Sequence, residues 1–154
     1  LHRAPMPNLG YGDVIREVEA RGGATLKNIR AAICAIRAYK LPDPKVLGNA
    51  GSFFKNPVVE RIVAERLLCD YPDMPYYPLT DTESKVKLAA GWLIDKAGLK
   101  GYHEGHVGVH ERQALVLVNH GEATGGEVMH LADMICSVVK QKFGVEITPE
   151  VNVL

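Results

Sequence analysis

An excess of charge of either sign is missing from this sequence. Eighteen Lys and Arg stand against 18 Asp and Glu over 154 residues, for a formal net charge of zero. With no global field, neither nucleic acid nor an anionic membrane is an expected partner, and anion recognition must come from a local group of basic side chains. Cysteine is scarce too. Cys34, Cys69 and Cys136 are odd in number, far apart and without a C-x-x-C pair, which predicts reduced, mostly buried thiols in a cytoplasmic protein. No apolar run is long enough to span a bilayer and no signal peptide is apparent. Walker loops, G-x-G-x-x-G, G-x-S-x-G and zinc knuckles are all lacking, and Gly51-Ser52 has no second flanking glycine, so a hydrolase-type serine nucleophile is not expected. His103, His106 and His110 are spaced by three and four in apparent strand and loop, without a carboxylate or thiol at partner spacing. No metal site is therefore expected.

What remains is an ordinary globular composition, 47% apolar and 23% charged, in a chain the size of one domain. The opening Leu1-His2-Arg3-Ala4-Pro5 lacks methionine, as expected of a segment of a longer protein. Residues 1–24 read as an extended lead-in, with glycines on both sides of Tyr11 that let its ring swing as a lid or rest as a surface plug. From residue 25 the chain reads as the principal domain. Leu26, Ile29, Ile33 and Ile36 predict a helix over Thr25–Ala38, with Arg37 and Lys40 at its end, where they either complement the helix dipole or face an anion. A helix is expected from Pro57 to Leu68 with Val58, Val59, Ile62, Val63 and Leu67 as its buried side, then a tyrosine- and proline-rich binding loop over Asp70–Ser84, and a short helix over Leu88–Lys96. Ala114–Val118 predicts a buried strand, Thr124–Phe143 the strongest helix, stopped by Gly144, and Val145–Val153 a closing, alternating strand. Strands and helices mix without βαβ repetition, so the expected class is α+β, a mixed or antiparallel sheet packed by several helices.

The segment Gly48-Asn49-Ala50-Gly51-Ser52-Phe53-Phe54-Lys55-Asn56-Pro57 exceeds what a core strand needs. Its glycines permit close backbone approach, its aromatics anchor both faces, and Asn56-Pro57 reads as a helix N-cap followed by proline at the first helical position. Such a helix start would favour anions. Near the other end, Glu150 shares a polar face with Thr148 and Asn152. A carboxylate there is either merely solvated or overlooks a cleft, where pairing with a hydroxyl such as Ser52 would be a usable acid–base arrangement.

These segments, with Lys40-Leu41-Pro42-Asp43-Pro44 before them and Leu88-Ala89-Ala90-Gly91-Trp92-Leu93-Ile94-Asp95, Gln113-Ala114-Leu115-Val116-Leu117-Val118-Asn119 and Pro149-Glu150-Val151 after, closely resemble the UDP-N-acetylenolpyruvoylglucosamine reductase family. The turn around Tyr11 resembles the mobile tyrosine loop of the family's longer form. The resemblance implies the C-terminal, substrate-binding domain of an FAD- and NADPH-dependent oxidoreductase of peptidoglycan synthesis. That enzyme reduces UDP-N-acetylglucosamine enolpyruvate to UDP-N-acetylmuramate. By the same resemblance Ser52 is the proton donor, Glu150 assists at the enolic intermediate, Tyr11, Lys40 and Asn56 hold the substrate diphosphate and its surroundings, and Arg37 and Gln113 line the substrate site. The flavin-binding region and the family's catalytic arginine would lie upstream of Leu1, so the chain alone is expected to be colourless, inactive and monomeric. Asn152 stands where the family usually has arginine. Two other readings stay open, a non-catalytic UDP-sugar binding module and a protein-interaction domain using Asp70–Pro78.

Overall fold

The computed structural model describes residues 6–10 and 12–152. The chain forms two compact units, Leu1–Pro42 and Asp43–Leu154. The boundary falls at the Pro42-Asp43-Pro44 break, where each proline disfavours helix in the residue before it.

The first unit is a helical hairpin. Within the stretch expected to be extended, Val14–Glu19 is helical (α1), because Val14 and Val18, four residues apart, both bury against α2, Leu26–Lys40. The expected break at residue 24 falls in the turn between them. Thr25 caps α2 by accepting the Asn28 N–H at 3.1 Å, and the Asn28 amide donates to the carbonyls of Arg21 and Gly23, which fixes the turn.

The second unit is α+β, with two antiparallel sheets in place of one. The larger runs in the order β1 (Gly48–Ser52), β7 (Val116–Asn119), β6 (Val107–Val109) and β5 (His103–Glu104). The smaller is β2 (Val58–Glu60), β4 (Lys85–Leu88) and β3 (Tyr76–Pro78). Three helices complete it: α3 (Arg61–Asp70), α4 (Ala90–Lys96) and α5 (Gly125–Phe143). The helix α5 carries the expected stripe, with Leu131, Ile135, Val139 and Phe143 buried. It opens on a capping box, in which Thr124 accepts from the Glu127 N–H and Glu127 from the Thr124 N–H, and it ends at Gly144 with φ +68°.

Four local expectations yield to long-range contacts. Pro57 does not open a helix; Val58, Val59 and Glu60 pair instead with Lys87, Val86 and Lys85, and the helix begins at Arg61. Val58 and Ile62, expected in the core, are 49% and 70% exposed. Tyr71 leaves the expected binding loop to stack edge-on with Trp92 and Phe143, at centroid separations of 5.6 and 5.4 Å. Val145–Val153 alternates in burial but makes only one bridge among its described residues, Phe54 with Pro149. Finally, Cys34 and Cys69 are exposed, and Cys136 alone is partly buried, with its thiol donating to the Ile147 carbonyl.

Candidate functional site

The strand β1 is bent at its functional end. Its register against β7 runs Gly48 to Asn119 and Asn49 to Val118, then slips so that Ser52 meets Val116. The extra residue is absorbed at Gly51, φ +73°, a left-handed conformation that a side chain would oppose, and the Asn49 carboxamide accepts the Gly51 N–H at 3.0 Å. Ser52 is exposed, while the Phe53 and Phe54 rings, 5.2 Å apart and edge-on, both bury in the same core cluster. A Cβ added at Gly51 would meet no neighbouring atom within 4 Å.

Three further segments meet this strand end. The Phe53 N–H donates to the Leu115 carbonyl at 2.7 Å, which brings Gln113 alongside. The Glu150 N–H donates to the Phe53 carbonyl at 2.8 Å and the Lys55 N–H to the Thr148 carbonyl at 2.9 Å, so the Glu150 backbone lies beside that of Phe53. Asn56 reaches across to α4, where its carboxamide oxygen accepts the Ala90 N–H at 2.9 Å. Asn56 is thus a cap, but for a helix 34 residues downstream and not for the segment that follows it. That helix needs one from outside, because Ala89 at its N-cap position has no polar side chain. The expected anion site at a helix starting from Asn56 is correspondingly absent.

Ser52 and Asn56 on one segment, Gln113 on a second and Glu150 on a third therefore belong to neighbouring stretches of the second unit. Ser52 and Glu150 are exposed, and neither side chain has a hydrogen-bond or ion-pair partner among the described residues. The chemistry available is that of a hydroxyl, a carboxylate and amides. Arg37 and Lys40 belong to the first unit, where they line a cavity of about 240 Å³ with Asp13, Ile29, Ile33 and Ile36. Asp13 lies 3.9 Å from the Lys40 ammonium and 3.5 Å from the Arg16 guanidinium, a neighbour that the basic pattern of α2 did not announce. Tyr11 lies outside the described residues. Among the described residues no group of three or more His, Cys, Asp or Glu could hold a metal; His103 packs edge-on against His120 at 4.7 Å, and His110 is buried. No described helix is long and apolar enough to cross a membrane.

The fold and site define an α+β domain that presents polar side chains from a bulged strand end. Residues 43–154, the span of the second unit, match the family described as UDP-N-acetylenolpyruvoylglucosamine reductase, C-terminal domain. The chain belongs to that family. It is 56% identical over 147 residues to the UDP-N-acetylenolpyruvoylglucosamine reductase of Chromobacterium violaceum (94% of this chain, 42% of the relative). It is 54% identical over 154 residues to that of Pseudomonas aeruginosa (99% and 45%) and 52% over 144 residues to that of Bacteroides fragilis (94% and 43%). Among solved structures, the Thermus caldophilus UDP-N-acetylenolpyruvylglucosamine reductase aligns at 25% identity with a TM-score of 0.47, covering 82% of this chain and 34% of that one. The chain spans less than half the length of the curated relatives it matches.

Proposed function

We propose that this chain is the substrate-binding part of a cytoplasmic, monomeric reductase of cell-wall synthesis that converts UDP-N-acetylglucosamine enolpyruvate to UDP-N-acetylmuramate. The observation that carries the reading is the gathering of Ser52, Asn56, Gln113 and Glu150 around one strand end in a chain of this family. A flavin (FAD) reduced by NADPH would supply hydride to the enolpyruvyl double bond. The chain spans less than half of its relatives' length, and on this reading most of the flavin's binding surface belongs to the remainder.

The residues of this chain then divide the remaining work. Hydride arrival leaves an enolic anion on the substrate, and the Ser52 hydroxyl donates the proton that completes reduction of the double bond. Glu150 assists at the enolic intermediate. An unassisted serine is a weak acid, so its alkoxide must be stabilised by a donor or relayed by water as it forms. Asn56, its oxygen occupied by Ala90, has its amide N–H groups to offer the substrate diphosphate. By the family resemblance Tyr11, Arg37, Lys40 and Gln113 are read as further substrate-binding residues. Binding without turnover in the full-length protein would favour a UDP-sugar module instead.

The test is Ser52→Ala in the full-length protein. NADPH oxidation with the enolpyruvyl substrate should fall by about 10²–10⁴ in kcat, the usual worth of a general acid. An unchanged kcat overturns the assignment.

A further inference from the structure

The Ala90-Gly91 turn at the start of α4 touches two of the proposed substrate ligands at once. Ala90, fully buried, donates its N–H to Asn56. Gly91 lies under Gln113: a Cβ added there would stand 3.4 Å from the Gln113 side-chain oxygen and 3.3 Å from Leu115 Cγ. The Leu115 contact is tighter than side chains ordinarily accept and the Gln113 contact stands at the edge of ordinary van der Waals distance, so an added methyl would press on both. The Leu115 side chain packs against the hydrophobic core. The half-buried Gln113 side chain, on flexible torsions, is the part that gives.

We propose that Gly91 is a positioning residue for Gln113, its missing side chain leaving the space in which the Gln113 carboxamide is set toward the substrate. The inference rests on the reading of Gln113 as a substrate ligand. Gly91 has ordinary helical geometry, so it is not required by backbone strain. Glycine is in fact a poor helix former, and alanine at this position would favour α4 on propensity alone. A residue that costs helix stability is explained here by the space it leaves.

The experiment is a double-mutant cycle in the full-length protein, with KM for the enolpyruvyl UDP-sugar, kcat and Tm as readouts. Gly91→Ala should raise KM about fivefold, the factor of one neutral hydrogen bond, with kcat little changed and Tm unchanged or higher. In a Gln113→Ala background it should raise KM no further. An unchanged KM in Gly91→Ala, or an equal rise in both backgrounds, overturns the proposal while leaving Gln113 a ligand. An unchanged KM in Gln113→Ala itself overturns the underlying reading, and the proposal with it. Should Gly91→Ala destabilise the protein, adding Leu115→Ala relieves the aliphatic contact. Recovery of Tm with KM still raised supports the proposal, and recovery of both overturns it.

Discussion

Asn56 is expected to carry both stability and recognition on the two ends of one carboxamide, and two substitutions separate them. Its oxygen accepts the Ala90 N–H at 2.9 Å; Ala90 is fully buried and Ala89 offers no alternative cap. Asn56→Ala leaves a buried donor unpaired at a helix N-terminus, which costs about 1–2 kcal/mol and a Tm decrease on the order of 3–8 °C for a chain of this size. Asn56→Asp keeps the acceptor and adds a negative charge where the helix dipole favours it, so the Tm should stay level or rise. It also removes the amide donor and repels a diphosphate. Loss of a hydrogen bond to a charged group is worth about 1.5–3 kcal/mol, or on the order of 10- to 100-fold in KM for the full-length protein. Thermal unfolding of this chain, followed by circular dichroism, reads the first effect, and steady-state kinetics of the full-length protein read the second. If Asn56→Asp destabilises as much as Asn56→Ala, the cap is not what the oxygen supplies and the reasoning fails.

Ser52→Ala provides the matching control, because the Ser52 hydroxyl has no partner among the described residues: Tm should hold within the roughly 0.5 kcal/mol typical of surface changes, and a large drop would show a structural role. Gly144→Ala forces a side chain into the left-handed conformation, φ +68°, that ends α5, and should cost about 1–2 kcal/mol, measured by urea unfolding. His110 is buried, its Nδ1 accepts from the Arg112 N–H, and burial, with Arg112 nearby, holds its pKa below the ordinary value. Between its folded pKa and about 6.5 the unfolded chain therefore binds more protons, so stability falls as pH drops through that window. His110→Gln should flatten this part of the Tm-against-pH curve, and an unaltered curve would refute the assignment.

Elements whose signals are local were legible in the sequence, and those fixed by distant partners were not. The helix α5 announced itself through its apolar stripe and the Gly144 that follows it, both local signals. Asn56-Pro57 carried an equally good local signal, yet strand pairing of Val58–Glu60 with Lys85–Lys87 displaced the helix and sent the Asn56 side chain to α4. Tyr71 looked like loop by composition, but Trp92 and Phe143 supply a ring cluster that only tertiary structure assembles. In α1, the short Val14 and Val18 pattern was too brief to stand out against neighbouring glycines. The site followed the same rule. Ser52 and Glu150 could be singled out from residue type and strand context, whereas the seat that Gly91 gives Gln113 depends on a contact between residues 22 positions apart.

On the proposed reading the substrate is anionic, yet ion pairs of the second unit such as Lys85 with Glu60 and Lys96 with Asp73 cancel locally. Lys55 is an exposed cation next to Asn56 at the strand end. On that reading amides share the recognition there, and an amide is useful only if its donor end is the one presented. A free asparagine or glutamine can rotate to offer oxygen or nitrogen with similar ease. Ala90 removes that choice for Asn56 by occupying the oxygen, and the packing of Gln113 over Gly91 restricts the second amide. On that reading orientation, fixed by one backbone turn, supplements the proposed cationic ligands and limits the self-repulsion that a larger cluster of charge brings to a protein before its ligand arrives.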